Sequence, residues 1–503
     1  MSSMPRASAL ACFIGLSLSA ASLPALADTF TVTTTADSGA GSLRSAIDAV
    51  NATSGTIHSI VFSLPAGSEI SVTSELPAIT KAGVSIGSVS GPRVLLRAMA
   101  NNPLLRVGAT NTLLTLNNLV IADGRRVGGG GCLLAEPPSG NGSLVLNQVA
   151  MAACLGLRND LFRSAQGGAM LVFDRDVNIN DSVFEFNGFA QAAAGQEFNV
   201  AGGAVALIAD SARRLLIDGA LFELNQANGG ATASQPVALG GSIYVGGSAR
   251  LQIDRANLSE SYAFGQATGA DARGGALYAE GTVFIEDSLF FQGGAARGLI
   301  TVESDDRTRT LELRNTSFNE VEAFSDAVVR SNLASVTLRN SGFSETRDGR
   351  AEGAELRVEA LPGQATPSLL RLSNTLFARS PQGANAACSV GANVTVENSF
   401  NLSDHAVPGC GIRSTALPLN LDGFDQPTDR FGGWLLVRAG SRVIDFGNPA
   451  PPSLPDWSTC ATRDARGVTR PIDATSPGII AVCDVGPVEY ERVILFGDGF
   501  ESP

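Results

Sequence analysis

Apolar and polar residues alternate in a short pattern that recurs along most of the chain. Each unit begins with an aliphatic, a usually polar and a second aliphatic residue, continues through about three polar or small residues, and usually closes on an apolar residue, often phenylalanine. The units include LTLNNLVI (114–121), VNINDSVF (177–184), LLIDGALF (215–222), VFIEDSLF (283–290), LELRNTSF (311–318), VTLRNSGF (336–343), LRLSNTLF (370–377) and VTVENSFN (394–401). Such alternation is typical of a β-strand with one buried face. Each unit therefore predicts a short strand followed by a turn.

The spacing of the units predicts the fold. They begin at residues 114, 144, 177, 215, 251, 283, 311, 336, 370 and 394, so neighbouring units lie between 24 and 38 residues apart. Glycine pairs open a second apolar stretch at 167–171, 202–206, 240–244 and 274–278. A constant core with gaps of variable length is typical of a solenoid whose stacked units bury one interior. We predict an all-β parallel β-helix; a propeller, a leucine-rich horseshoe and a β-sandwich fit the pattern less well.

The fifth position of the unit is rich in asparagine. It is occupied by Asn118, Asp181, Asn315, Asn340, Asn374 and Asn398. Asparagine tolerates left-handed backbone and bonds to nearby amides, so a simple preference for turns accounts for the pattern. Stacking on successive coils would also allow a hydrogen-bonded ladder, which we predict for Asn315, Asn340, Asn374 and Asn398.

The first 27 residues are typical of a secretory signal peptide. Arg6 supplies a positive charge, an apolar stretch follows, and the sequence ALA at 25–27 is a small-x-small cleavage site. The apolar stretch is too short to span a bilayer, and no later stretch approaches the required length. The sequence therefore predicts cleavage near Ala27, a mature chain without a transmembrane anchor, and a location outside the cell or on its outer surface.

Charge and cysteine content narrow the chemistry. The 503 residues carry a net charge of -13, and an acidic surface disfavours nucleic acid because phosphate backbones require Lys and Arg. The six cysteines that follow the signal peptide permit fifteen pairings, and a secreted chain favours disulfides. Their spacing of 22 or 23 residues predicts Cys132–Cys154, Cys388–Cys410 and Cys460–Cys483. No CxxC pair and only two histidines, His58 and His405, are present, so no metal site or cofactor is predicted.

The fourth position of the unit offers a candidate for catalysis. Asp218, Asp254 and Glu286 occupy it in consecutive units, followed by Arg314 and Arg339. If this position faces outward, the carboxylates stack and raise one another's pKa, which suits acid catalysis, or they bind Ca²⁺ through oxygen ligands. A solvated polar edge is the simpler interpretation. Tyr244 and Tyr278 offer an aromatic platform for a sugar, although they suit the core or its rim better.

Both ends of the chain resemble a known family. The segment FTVTTTADSGAGSLRSAIDAVNA (30–52) resembles the N-terminal motif, of the CSLREA type, of bacterial secreted right-handed parallel β-helix proteins with pectin-lyase-like and polymorphic outer-membrane-protein-like repeats. In this chain Gly41 replaces the cysteine of that motif and Ser45 its glutamate. The segment RDARGVTRPID…CDVGPVEYE (463–491) resembles their closing segment, with Pro487 where alanine is usual.

The resemblance implies a right-handed β-helix and leaves activity open, since the family is mostly uncharacterised. Leu43, Ala46, Ile47 and Val50 lie on one face of a short helix that would cap the first coil. The expected divisions are a signal peptide (1–27), an N-terminal cap and first coils (28–110), β-helix coils (111–445), a C-terminal cap (446–490) and a tail (491–503).

Two functions follow as expectations. The first is a secreted or cell-surface protein that is not an enzyme and binds in the manner of an adhesin, with a polysaccharide or the surface of a host or neighbouring cell as partner. The second is a polysaccharide lyase or glycoside hydrolase that acts through Asp218, Asp254 and Glu286. Parallel β-helices include such enzymes, but this is an argument from fold alone.

Overall fold

The chain forms a parallel β-helix, as described by a computed structural model. The structure describes residues 28–99, 101–158, 164–190, 198–230, 236–265, 270–323, 326–344, 347–348, 354–360, 363, 366–378, 386–406, 408–415, 419, 421–425, 434–472 and 481–490. The predicted signal peptide and the predicted tail therefore lie outside the described residues. Within them, three long parallel sheets run the length of the solenoid, and each coil contributes a strand to each sheet over most of its length.

Sheet 1 contains the first strand of the repeated unit. Its thirteen described strands are Asp28–Val32, Ile57–Phe62, Gly83–Ile86, Leu113–Asn117, Gly142–Asn147, Arg175–Asn180, Arg214–Asp218, Arg250–Asp254, Thr282–Glu286, Thr310–Arg314, Ser335–Arg339, Ser368–Ser373 and Val394–Ser399.

Sheet 2 follows sheet 1 after a two-residue turn in most coils. Its thirteen described strands are Glu69–Val72, Val94–Ala98, Leu119–Ala122, Ala150–Ala152, Val183–Glu185, Leu221–Glu223, Asn257–Ser259, Leu289–Phe291, Ser317–Asn319, Gly342–Ser344, Leu376–Phe377, Leu402–Ser403 and Arg413–Ser414.

Sheet 3 returns the chain to sheet 1. Its ten described strands are Leu105–Val107, Leu133–Ala135, Met170–Phe173, Val205–Ala209, Ile243–Gly247, Leu277–Ala279, Ile300–Val302, Ala327–Ser331, Ala354–Val358 and Ala386–Val390. Four of these strands follow the glycine pairs, whose first glycines, Gly167, Gly202, Gly240 and Gly274, have positive φ between 63° and 70°. This left-handed conformation favours glycine, which accounts for the first residue of each pair.

Short strands form additional sheets between sheets 2 and 3. They are Arg125–Val127, Leu155–Leu157 and Gly188–Phe189; Ser164–Gln166, Asn199–Ala201, Pro236–Leu239 and Asp271–Arg273; and Gln226–Gly229, Tyr262–Gly265, Gly294–Ala295, Glu322–Ala323 and Arg347–Asp348. An antiparallel pair, Leu421–Asp425 with Trp434–Val437, follows the coils. The loops between the units are therefore partly ordered into strands of their own.

The core lies inside the coils, where the aliphatic positions of every unit are buried. Sheet 2 adds a column of stacked phenyl rings, and the centroids of phenyl rings on adjacent strands lie 4.6 to 5.1 Å apart. In register, the column runs Phe184, Phe222, Leu258, Phe290, Phe318, Phe343 and Phe377. The closing phenylalanine of the unit is thus a core residue that fills the same corner on coil after coil.

One residue per coil adopts left-handed backbone at the turn from sheet 1 to sheet 2. These residues are Asn118, Gln148, Asp181, Gly219, Arg255, Asp287, Asn315, Asn340, Asn374 and Phe400, with φ between 46° and 65°. The fifth position of the unit is therefore a turn position, in agreement with the preference of asparagine for this conformation.

The predicted capping helix is present at Leu43–Ala52, and Ser42 accepts a hydrogen bond from the Ser45 amide as its N-cap. Leu43, Ala46, Ile47 and Val50 are buried, as the helical spacing predicted. The helix contacts the first two strands of sheet 1.

Three disulfides are present, and they join the pairs expected from the sequence. Cys132–Cys154, Cys388–Cys410 and Cys460–Cys483 have Cα atoms 5.5, 5.7 and 6.5 Å apart. Cys132 precedes a strand of sheet 3 and Cys154 follows the sheet 2 strand of the next coil, so this bond crosses the interior. Disulfides of this number are typical of proteins that fold in an oxidising compartment.

The C-terminal segment, described at residues 441–472 and 481–490, packs along the side of the last coils. Arg339, on the outer face of sheet 1, is only 2% exposed because it donates to the carbonyl oxygens of Leu454 and Thr459. The backbone amide of Ala461 donates to Asn340, and Gly486 donates to the Asn374 carbonyl. The segment predicted as a cap on the final coil therefore makes lateral contacts that reach back over several coils.

The closing segment is held together by buried charges. Arg470 and Glu489 are fully buried and lie 2.7 Å apart. Arg470 also donates to the carbonyls of Asp484 and Gly486, and Asp464 accepts from Arg466 and from the Glu489 amide. These polar residues of the closing segment therefore satisfy one another's hydrogen bonds and charges.

Candidate functional site

The fourth position of the unit forms one row on the outer face of sheet 1, which we call the outer row. Its members are paired in register across adjacent strands, and in the last unit the register brings in the sixth residue in place of the fourth: Asn117, Asn147, Asn180, Asp218, Asp254, Glu286, Arg314, Arg339, Ser373 and Ser399. Asp218, Asp254 and Glu286 are therefore on three consecutive strands, about 4.8 Å apart at the backbone. The structure brings the three candidate carboxylates together, as the stacking of the units required.

Each carboxylate of the row has a different environment. Asp218 is half-exposed and pairs with Arg255, and Glu286 pairs with Arg314 through an Nε to Oε1 distance of 3.1 Å. Asp254 lies between them, and its buried Oδ1 atom has no hydrogen-bond partner among the described residues. Burial raises the pKa of Asp254, and the neighbouring charge of Asp218 raises it further. Burial also raises the pKa of Glu286, although Arg314 opposes the shift.

Asp287 is a fourth carboxyl group of this region that the sequence analysis missed. It occupies the left-handed turn position directly after Glu286, and its Oδ1 accepts a hydrogen bond of 2.8 Å from Asn315. Burial raises the pKa of Asp287 to about 7, against the effect of that bond and with help from the charges of Glu286 and Asp254. The sequence carried a signal, since Asp287 holds the fifth position of its unit.

An amide ladder continues the outer row on the N-terminal side of the carboxylates. Asn180 donates to Asn147 over 2.9 Å, Asn147 donates to Asn117 over 2.8 Å, and Asn117 donates to the Ser85 hydroxyl over 3.1 Å. Adjacent in-register amides are within bonding distance because strands lie about 4.8 Å apart. This ladder was not predicted, because stacked asparagines were expected at the fifth position of the repeated unit and not at the fourth.

The predicted ladder of Asn315, Asn340, Asn374 and Asn398 was wrong. The first three do adopt left-handed turns, but their side chains bond to the C-terminal segment. Asn315 donates to the Arg463 carbonyl, Asn340 accepts from the Ala461 amide, and Asn374 accepts from the Asn448 amide. Asn398 pairs in register with Leu372, two positions before Asn374, and donates to the Cys410 carbonyl.

A shallow hollow lies beside the row where the amides give way to carboxylates. Its volume is about 330 Å³, and Asn178, Asn180, Leu216, Ile217, Asp218, Gln252 and Asp254 line it. The next residue in register after Gln252 is Phe284, whose ring carries the Arg314 guanidinium at 4.9 Å from the centroid. Amide, carboxylate and aromatic groups therefore converge on one open face.

Other sequence candidates lie apart from this face. Tyr244 and Tyr278 stack on sheet 3 with ring centroids 5.9 Å apart, but they are only 9% and 7% exposed, so they form part of a satellite core. His58 and His405 are both buried, each only 1% exposed. The described residues contain no group of three or more His, Cys, Asp or Glu side chains arranged to hold a metal ion.

The accessible part of the outer row ends at Arg314. Burial beneath the C-terminal segment lowers the pKa of Arg339 to about 10, and Ser373 donates to the Trp457 carbonyl. The C-terminal segment therefore covers the row at Arg339 and Ser373, and the stretch from Asn147 to Arg314 stays open. Asn117, at the N-terminal end of the row, is only 8% exposed, so a ligand of the row would contact six consecutive strands.

Comparisons with protein-family models, with curated proteins and with solved structures found no match for this chain. In the part of the chain that the structure describes, no helix has the length and apolar character required to cross a bilayer.

Proposed function

We propose that this protein is a secreted or cell-surface binding protein that is not an enzyme, and that it binds an extended polysaccharide along the outer row of sheet 1. The observation that carries the proposal is the in-register row from Asn117 to Glu286, in which bonded amides lead into exposed and half-buried carboxylates. The predicted signal peptide and the three disulfides support a location outside the cell.

The geometry of the row suits a linear polymer. The row repeats a polar group about every 4.8 Å along the solenoid axis, so a chain of sugar units aligned with that axis meets a new amide or carboxylate at each coil. Gln252 is exposed at the hollow, and Phe284 provides an apolar surface beside it. Convergent polar groups with an aromatic neighbour are typical of ligand-binding surfaces.

Ion pairing of the carboxylates favours binding over catalysis. Arg255 neutralises Asp218 and Arg314 neutralises Glu286, so two of the three candidate groups are held as ion pairs. Hydroxyl groups of a neutral sugar can still bond to the free oxygen atoms of such pairs. Such a face offers hydrogen-bond acceptors and donors to a sugar without a large net charge.

Asp254 supports a second candidate function, a glycoside hydrolase or lyase. Its raised pKa and its unbonded buried oxygen are properties of a general acid. Carboxylates on adjacent strands approach the 5 to 5.5 Å separation of retaining glycosidases, and those two strands apart approach the wider separation of inverting ones. Asp218, the exposed neighbour of Asp254, would be its partner.

A glycan array with the purified full chain, repeated with Gln252→Ala, tests the binding proposal. We expect the wild type to retain one class of polysaccharide and Gln252→Ala to weaken that binding about tenfold, because the exposed side chain lines the hollow. Glu223→Ala, on the outer face of sheet 2 in the coil of Asp218, is the matched control and should bind as the wild type. Equal loss in both variants, or in neither, would remove the hollow beside the outer row from the function.

Product analysis on the retained polysaccharide separates the two candidates. Release of reducing or unsaturated ends by the wild type, abolished by Asp254→Asn, would establish an enzyme and overturn the binding proposal. We expect no release, with Asp254→Asn binding as well as the wild type.

A further inference from the structure

A second hollow lies far along the solenoid, between the last described coil and the C-terminal segment. Its volume is about 620 Å³, within the range of small-molecule sites. The coil contributes Asn398, Phe400 and Arg413, and the C-terminal segment contributes Asp445, Phe446 and Pro449 among others. The C-terminal segment covers the outer row between this hollow and Arg314, so the hollow is separate from the proposed polysaccharide face.

Phe400 is anomalous at its position in the coil. At the same turn, the other coils hold Asn, Asp, Gln, Arg or Gly in left-handed backbone, whereas Phe400 adopts φ 54° with a bulky ring. The ring is 41% exposed, so it gains little from the core. A bulky residue in this conformation carries strain, and exposed apolar surface adds to the cost, so the native fold does not explain its presence.

Arg413 is an exposed cation directed into the same hollow. Its guanidinium lies 4.9 Å from the centroid of the Phe446 ring, and no ion pair with a carboxylate is formed among the described residues. Most of the other arginines that the structure describes on the coils form ion pairs with Asp or Glu. The whole chain carries a net charge of -13. The guanidinium of Arg413, stacked on Phe446 in the hollow that Phe400 also lines, is therefore available to an anionic ligand.

We propose that this hollow binds a ring that carries a carboxylate, namely a hexuronate unit of an acidic glycan. A sugar ring presents an apolar C–H face to a phenyl ring such as Phe400, while its carboxylate accepts parallel hydrogen bonds from the guanidinium of Arg413. Asn398 and the surrounding backbone provide partners for hydroxyl groups. Asp445 also lines the hollow, so selectivity for the acid comes from direct pairing with Arg413 and not from the net charge of the site.

Isothermal titration of the full chain with a trimer of a hexuronate, and with the neutral hexose trimer of the same linkage, tests the proposal. We expect the acidic trimer to bind and the neutral trimer to bind at least tenfold more weakly. Arg413→Gln should reduce the binding of the acidic trimer at least tenfold. Equal binding of both trimers, or binding of benzoate in preference to the uronate, would overturn the proposed ligand class.

Phe400→Asn separates a binding role from a packing role. Asparagine is the residue that other coils use at this turn, so this variant should unfold at an equal or higher temperature and yet lose the acidic trimer. Phe186→Asn is the matched control, because Phe186 is another exposed phenylalanine with positive φ, and it should gain stability without affecting binding. A lower unfolding temperature for Phe400→Asn, or unchanged binding, would show that Phe400 serves the fold. Variants at Gln252 leave this hollow intact, so failure here and failure at the outer row are distinguishable.

Discussion

Asp287 is held in a conformation and an environment that favour its protonated form. Left-handed backbone at its turn is tolerated by aspartate and asparagine, and burial against Glu286 and Asp254 disfavours a further negative charge. The pKa of Asp287 is about 7, whereas the unfolded chain ionises it near 3.8. Between these values the folded state binds the additional proton, so stability falls as pH rises through this window and is constant below it.

Asp287→Asn should remove this pH dependence. The amide keeps both the turn conformation and an acceptor for Asn315, and it has no proton to lose. We expect the variant to unfold at nearly the wild-type temperature at pH 4 and at a higher temperature at pH 8, with the difference growing by up to about 1.4 kcal/mol per pH unit between. Thermal unfolding followed by circular dichroism from pH 4 to 8 measures this. Asp181→Asn, at the equivalent but exposed turn, should show no such trend.

At the scale of elements, the sequence predicted the strands that carry the repeated pattern and pair with equivalent strands on neighbouring coils. The alternation of aliphatic residues marked sheet 1, and the closing phenylalanine marked sheet 2, because each must fill the shared interior. Short strands such as Gly188–Phe189 carry too few residues for any period to appear.

Contacts between distant parts of the chain could not be predicted from a local pattern. Asn340 bonds to Ala461, which is 121 residues away, and this partner replaced the expected neighbour on the next coil. The same applies to the lateral position of the C-terminal segment. The outer row was predicted only at its charged members, from Asp218 to Arg339, and its stacked amides at Asn117, Asn147 and Asn180 were not predicted.

The C-terminal segment should depend on its buried ion pair. Arg470→Met leaves Glu489 as an uncompensated buried charge, which typically costs 3 to 5 kcal/mol. We expect this variant to release the segment from the coils, so that limited proteolysis cuts between residues 441 and 490 much faster than in the wild type. Arg463→Met is the control, because Arg463 is exposed on the same segment. Equal rates of cleavage in both variants would show that packing on the coils alone holds the segment.

For the whole molecule, a solenoid whose coils contact mainly their neighbours should open from its least protected end. Val394 and Val396, on the last described strand of sheet 1, are only half-buried, whereas Leu370 and Leu372 on the preceding strand are fully buried. We expect the amides of Val394–Ser399 to exchange hydrogen well before those of Ser335–Arg339. Hydrogen exchange with mass spectrometry gives this order, and simultaneous exchange of both strands would show that the coils unfold as one unit.

The column of phenyl rings has a consequence for the length of the protein. Leu251 and Val283 are partners in register, so excision of residues 251–282 would place Val283 where Leu251 stood and leave Phe290 above Phe222. Such a change removes one whole winding and keeps every interior row continuous. The reach of the outer row is therefore quantised: it lengthens or shortens by about 4.8 Å at a time, and no intermediate span is compatible with the stack.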